Sequence, residues 1–425
     1  MILRSPRFES HPLRGEITLP GDKSISHRAL ILASASASET RIANLNPGRD
    51  VRATATALGA LGAEIARDGD EHTVRGGALR DPSGDIDAMN SGSTVRMLLG
   101  LCTGLGIRAR FVGDASLSRR PMEPVAAHLR AFGARIVSTE GRLPIRIDGT
   151  STDRSRHLIL VQPSAQIKSA LLFAALFSHT PLKLSGDRGT RDHTERMLAA
   201  MGAGISWNGS EIDLYEPTVR GGETITAPGD FSAAAFFIVG ATLARGSALL
   251  IRDVNLNPTR TGLLDALDAM GAKIERRNQR ERNGEPIGDV FVEHATLHAT
   301  AVDAQSARRS IDELPLLAIA AAFADGRTTI SGVRDLRDKE SDRLAAIHRL
   351  LAAVGVVAED LPNGIAIDGG SPVASDIPVE TFGDHRIQMA AAMLGCAAGP
   401  VEVDSVNEVD VSFPDFFERL ERVTA

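Results

Sequence analysis

Only two cysteines, Cys102 and Cys396, occur in 425 residues, and both lie in apolar helical stretches. Thiols so placed read as buried residues of a reducing compartment and provide neither a disulfide framework nor a cysteine-based zinc site. Aromatic residues amount to 4%, with one Trp and one Tyr, so the core must be built from Ala, Leu, Val and Ile. The formal charge of −7 lacks the basic excess that suits nucleic acid or an anionic membrane. No apolar run reaches transmembrane length, and no apolar signal core opens the chain. With the first helix-opening motif at Gly21, a long transit peptide has no room, and the expectation is a cytoplasmic protein. What is present, 43% hydrophobic and 24% charged residues, is ordinary for a globular enzyme.

One pattern is written about six times: a polar cluster opens a short, Ala-rich apolar helix. The openings are Gly21-Asp22-Lys23-Ser24, Asn90-Ser91-Gly92-Ser93, Ser164-Ala165-Gln166, Gly229-Asp230-Phe231-Ser232, Ile311-Asp312-Glu313 and Gly383-Asp384-His385-Arg386. The stretches behind them carry few charges, so these helices are expected to be buried. A helix N-terminus carries about half a positive charge and N–H groups without intrahelical partners, and several gathered beside Lys and Arg make a receptor for anions.

A second, amphipathic helix alternates with the first and stops at Gly62, Gly133, Gly202 and Gly271, about every 70 residues, with Gly355 after a longer gap. Glycine is the expected helix stop before a strand such as Ala134-Arg135-Ile136-Val137. Each repeat then holds a buried helix, a covering helix and several strands, which predicts a mixed α/β chain of six units, three per domain. The expected domains are residues 1–19 with 230–425, and 20–229, with hinges near 19–21 and 228–230. In that arrangement the N-terminal strand pairs with the C-terminal half and the chain crosses twice. The polar stretch from Arg276 to Gly288 reads as a long hairpin loop.

Seven cations stand at these openings or in short basic motifs: Lys23, Arg28, Arg120, Arg191, Lys339, Arg343 and Arg386. Each alone reads as a solvated surface residue; together, beside repeated helix openings, they read as anion ligands. Lys23 and Arg28 are little more than one turn apart, and Lys339 and Arg343 have the i, i+4 spacing of one helical face, although Glu340 and Asp342 would equally make a salt-bridge network there. Asp312 reads either as an N-cap or as a base able to take a proton from a hydroxyl. His385, between Asp384 and Arg386, reads as a proton donor or a cap partner.

Taken together, Gly21-Asp22-Lys23-Ser24-Ile25-Ser26-His27-Arg28, Asn90-Ser91-Gly92-Ser93-Thr94-Val95-Arg96, Arg119-Arg120-Pro121-Met122, Ser164-Ala165-Gln166-Ile167-Lys168-Ser169-Ala170, Asp338-Lys339-Glu340-Ser341-Asp342-Arg343-Leu344 and Asp384-His385-Arg386 resemble, in order, the motifs of the 5-enolpyruvylshikimate-3-phosphate synthase family. The likeness runs from about Pro20 to Phe417, and Gly113-Asp114-Ala115-Ser116-Leu117 with Thr190-Arg191-Asp192-His193-Thr194-Glu195 is most like the bacterial class II branch. The resemblance implies a two-domain inside-out α/β barrel of the enolpyruvyl transferase type. It also implies transfer of the enolpyruvyl group of phosphoenolpyruvate to the 5-hydroxyl of shikimate 3-phosphate, with release of phosphate. Two phosphates and two carboxylates sum to roughly −5 to −6, which the clustered cations match.

By motif, Lys23, Ser24, Arg28, Ser164, Ala165, Gln166, Arg191, Asp312 and Lys339 would hold shikimate 3-phosphate. Lys23, Gly92, Arg120, Gln166, Arg343 and Arg386 would hold phosphoenolpyruvate. Catalysis would rest on Asp312 as base for the hydroxyl, Lys339 and Lys23 as electrostatic partners, and Glu340 as proton donor and acceptor at the methylene carbon, with Lys23 and His385 as alternatives. No metal or organic cofactor is implied. The partners expected are the two substrates, with glyphosate as inhibitor, no nucleic acid and no membrane; the expected state is a monomer whose halves close on shikimate 3-phosphate. The chain departs from the pattern at Val411, where many relatives carry Lys, and at Met97, where many glyphosate-sensitive relatives have Pro. The sister transfer to a UDP-amino sugar is disfavoured because the loop before Arg119-Arg120-Pro121 has no Cys. A nucleic-acid end-processing enzyme is disfavoured by net charge, and a silent anion-binding paralogue by the intact acids.

Overall fold

The computed structural model describes residues 7–8, 11–338, 340–375 and 377–424. The chain divides into two compact units: Met1–Pro20, Pro228–Arg280 and Pro286–Ala425 form the first, Gly21–Ala227 and Glu281–Glu285 the second. The chain therefore changes unit at four points rather than the expected two. Each unit has its own apolar core. Among the described residues no helix is long and apolar enough to cross a membrane, and the strands form five four-stranded sheets and one two-stranded sheet.

The middle repeat of the second unit shows the pattern. Strand Ile86–Asp87 leads into helix Gly92–Leu105, which returns the chain to Ala109–Val112, parallel to the first strand. A parallel pair needs such a crossover. Helix Glu123–Phe132 then covers the unit, and the hairpin Ala134–Thr139 and Arg142–Thr150 completes the sheet. The next repeat runs the same way through His157–Ile159, Ala165–Phe177, Leu182–Ser185, His193–Ala200, Gly204–Trp207 and Glu211–Glu216. In the first repeat, Lys23–Ala35, Thr40–Ala43 and Arg49–Ala60 keep the order, but the leading strand is Ile225–Thr226, from the far end of the unit.

The first unit takes its leading strand from before that insertion: Arg14–Ile17 pairs in parallel with Ala248–Asn255, and helix Phe231–Leu243 precedes the latter. Its second repeat comprises Ala301–Val302, Leu314–Ala322, Gly326–Ser331, Arg343–Ala352 and the hairpin Ala358–Leu361 with Gly364–Gly369. Helix His385–Ala398 and strand Val401–Glu402 belong to the third, where Arg7–Phe8 from the N-terminus pairs antiparallel with that strand.

Every residue of Phe231–Leu243 and of Leu314–Ala322 is buried, as expected for helices apolar all round. Five of the six buried helices start at side-chain caps: Asp22, Ser91, Ser164, Asp230 and Asp384 each accept a hydrogen bond from a first-turn backbone N–H. Leu314–Ala322 differs, because its N-cap is Glu313 without a side-chain cap bond. Asp312 is therefore not a cap. The recurring stops Gly62, Gly133, Gly202, Gly271 and Gly355 all have positive φ. Cys102 and Cys396 are buried, and burial pushes both thiols up to about 12.

A further expectation fails. Residues 276–288 are not a loop but most of two long strands, Lys273–Arg282 and Glu285–Glu293, joined by Asn283-Gly284 at φ +51° and +81°. Charged residues on both faces of the first strand hide its period, whereas Asn-Gly with two positive φ values marks a tight hairpin turn. The helix that follows begins at Arg343; Lys339, expected to share a helical face with it, lies outside the described residues.

Helices Gly92–Leu105 and Ala165–Phe177 pack so closely that a Cβ on Gly100 would lie 2.2 Å from the Ala170 carbonyl oxygen. In an uncrowded helix Gly→Ala would stabilise by about 1 kcal/mol. Here overpacking reverses the sign, and Gly100→Ala is expected to lower the unfolding free energy by about 1–3 kcal/mol in denaturant titration.

Candidate active site

In the second unit the predicted ligands gather at helix starts. Lys23, Gly92 and Ala165 are the first residues of their helices, so their backbone N–H groups lie among those without intrahelical partners. Lys23 Nζ lies 2.9 Å from Asp50 Oδ2. Arg28, 4% exposed, donates to Thr194 Oγ1, Ser169 Oγ and the Ser24 carbonyl, each at 2.7 Å. Burial lowers its pKa to about 10; Glu195, Asp22 and Glu285 oppose the shift, and the charge of Arg191 adds to it.

Arg120 donates to Asn90 Oδ1. Gln166 accepts from Arg96 Nη1 at 2.8 Å and donates to Ser93 Oγ at 2.9 Å, so its amide is oriented from both sides. A Cβ on Gly92 would fall 2.6 Å from Arg96 Nη1. An Ala there would push aside the end of that flexible side chain. Met97 faces the core of the same helix at 1% exposure.

In the first unit Arg343 is the hub. Its guanidinium donates to Asp384 at 2.8 Å and Glu340 at 2.6 Å and stands 3.5 Å from Asp312. Burial would weaken its charge, but Asp384, Glu340 and Asp312 outweigh burial and raise its pKa. Arg386 Nη2 lies 3.7 Å from Asp312 Oδ2, so Asp312 is held between two guanidiniums. The cap is Asp384, and buried His385 stands beside it with Nδ1 3.8 Å from Asp384 Oδ1. Val411 ends a short 3₁₀ turn, Val409–Val411, and brings no charge. Among the described residues no group of three or more His, Cys, Asp or Glu is arranged to hold a metal ion.

A family model for EPSP synthase, 3-phosphoshikimate 1-carboxyvinyltransferase, matches residues 9–420. The chain belongs to the EPSP synthase family. Relatives named 3-phosphoshikimate 1-carboxyvinyltransferase include that of Desulforudis audaxviator, 44% identical over 96% of both chains, and one from Thermus thermophilus, 42% identical over 97% of both. The solved EPSP synthase of Acinetobacter baumannii superposes with a TM-score of 0.85 at 35% identity, covering 98% of each chain. The enolpyruvyl transferase NikO of Streptomyces tendae, at 19% identity and TM-score 0.72 over 99% of this chain and 98% of its own, shares the fold. The two-domain α/β fold expected from the repeats is that of this family.

Sequence reasoning missed residues that support the candidate site from behind. Arg96 lies within a quoted motif but has no role assigned by it. Lys168 is fully buried, with Nζ 2.9 Å from Asp187 and 2.7 Å from Glu195. Its signal is a lone Lys inside an apolar helix, which must find carboxylates. His27, in the Lys23-to-Arg28 motif, is buried with Nδ1 2.7 Å from Thr54 Oγ1. Burial, then Lys23 and Arg28, lower its pKa well below 6.5. Below pH of about 6.5 the unfolded chain therefore gains a proton at His27 that the folded chain does not, and stability is lost as pH falls. Melting temperatures between pH 7.5 and 5 should drop for the native chain and drop less for His27→Asn.

Proposed function

We propose that this chain carries out the enolpyruvyl transfer of its family, from phosphoenolpyruvate to the 5-hydroxyl of shikimate 3-phosphate, giving 5-enolpyruvylshikimate 3-phosphate and phosphate. The product feeds the synthesis of chorismate and aromatic amino acids. The observation that carries the reading is Asp312, which caps no helix and is held between Arg343 and Arg386. Lys23, Ser24, Arg28, Ser164, Ala165, Gln166 and Arg191 bind shikimate 3-phosphate, with Asp312 and Lys339 at the reacting hydroxyl. Lys23, Gly92, Arg120, Gln166, Arg343 and Arg386 bind phosphoenolpyruvate, the guanidiniums suiting its planar carboxylate and its phosphate.

Asp312 takes the 5-hydroxyl proton as that oxygen bonds to the carbon bearing phosphate, while Glu340 delivers a proton to the methylene carbon. The tetrahedral adduct then returns a proton from its methyl group to Glu340, and the carbon–oxygen bond to phosphate breaks. Arg343 bears on this step, since Glu340 accepts from it at 2.6 Å. An anion that draws the guanidinium away leaves Glu340 with one cationic partner fewer, and a carboxyl so relieved holds a proton more readily. The protein works as a monomer in the cytoplasm and belongs with the bacterial class II branch.

Phosphate release from purified protein should require both substrates and should fail with a UDP-amino sugar in place of shikimate 3-phosphate; release that needs neither partner, or no release, rejects the reading. Asp312→Asn is expected to bind both ligands within about tenfold of native affinity yet turn over at least about 100-fold more slowly, measured by steady-state kinetics. Glyphosate should inhibit in competition with phosphoenolpyruvate. Gly92→Ala should weaken that inhibition and raise the KM for phosphoenolpyruvate, because the new methyl displaces Arg96 from Gln166; equal inhibition of both proteins speaks against this placement.

A further inference from the structure

The hairpin whose sequence reads as a loop ends in Glu281–Glu285, which groups with the second unit. Within that unit the tip grips one segment. His193 Nδ1 and Glu285 Oε1 share a hydrogen bond of 2.8 Å, with the two side chains 0% and 1% exposed. Arg196 Nη1 donates to the Gly284 carbonyl at 3.3 Å, and the backbones approach so closely that a Cβ on Gly284 would lie 2.5 Å from the Arg196 carbonyl oxygen. The tip is itself fastened, since Asn283 Oδ1 accepts from Thr226 N at 3.0 Å.

The gripped segment carries two groups of the anion cluster. Thr194 Oγ1 receives the Nε hydrogen of Arg28, and Arg191 lies two residues before His193. From the core side Lys168 holds the same segment through Asp187, the Thr190 carbonyl and Glu195. Glu285 also opposes the lowering of the Arg28 pKa, so its carboxylate stands close to the cluster.

We propose that Glu285 is a positioning residue for shikimate 3-phosphate, holding through His193 the turn that presents Arg191 and Thr194, an assignment that rests on the function proposed above. A buried polar contact of this kind, once broken, leaves its partner unsatisfied and lets the turn shift. The hairpin tip is then part of the receptor for the first substrate and has no part in proton transfer.

The test uses the full chain with Glu285→Ala and Glu285→Gln, the amide oxygen of Gln being able to accept the same hydrogen bond. Glu285→Ala is expected to weaken shikimate 3-phosphate binding about tenfold, in KM and in calorimetry with that ligand alone, with the KM for phosphoenolpyruvate and kcat changed less than about threefold. Glu285→Gln should restore most of the affinity. Unchanged affinity in Glu285→Ala, equal rises in both KM values, or a Gln variant as weak as Ala overturns the assignment. If Glu285→Ala does not fold, His193→Ala against His193→Asn, whose amide can donate in place of Nδ1, gives the same comparison with the same outcomes. Native protein that binds shikimate 3-phosphate but releases no phosphate would overturn the reaction and leave the binding test readable.

Discussion

A helix buried on every side can offer solvent only its ends, and the rest of this structure depends on that constraint. Phe231–Leu243 and Leu314–Ala322 have no polar face, and the other buried helices confine most of their polar residues to the first two turns. Chemistry is thereby restricted to helix N-termini, where backbone N–H groups and the helix dipole already favour negative charge. A few Lys and Arg side chains at those ends suffice because they add to a field the backbone has built.

The two units use charge differently. In the second, the hydrogen-bond partners of Arg28 are two hydroxyls and a carbonyl, neutral groups that fix its direction without cancelling its charge. In the first, Arg343 is surrounded by three carboxylates, which cancel its charge and are themselves held in place. A guanidinium on neutral supports suits capture of a phosphate. One among carboxylates suits the orientation of acids and bases, and the proposed division between holding the sugar phosphate and moving protons follows from these surroundings.

Helix starts and stops are readable from sequence because they depend on local chemistry: Asp22, Ser91 and Asp384 cap as their residue types suggest, and the recurring glycines sit where a positive φ is needed. What the sequence leaves open or hides shares a cause. Asp312 stays open between cap and base because the guanidiniums beside it, Arg343 and Arg386, are distant in sequence. Arg96, Lys168 and Glu285 act through partners 19 to 92 positions away, and no local pattern encodes such partnerships.

The placement of the leading strands sets an order of events during synthesis. The second unit is nearly contiguous, and its last leading strand, Ile225–Thr226, emerges soon after its final hairpin. The first unit must keep Arg14–Ile17 waiting for Ala248–Asn255, and Arg7–Phe8 waiting for Val401–Glu402 near the opposite end of the chain. Pairings so remote in sequence form late and slowly. A ribosome making this protein therefore carries a nearly finished inserted unit before Arg14–Ile17 meets its neighbour, and Arg7–Phe8 waits until translation is almost over.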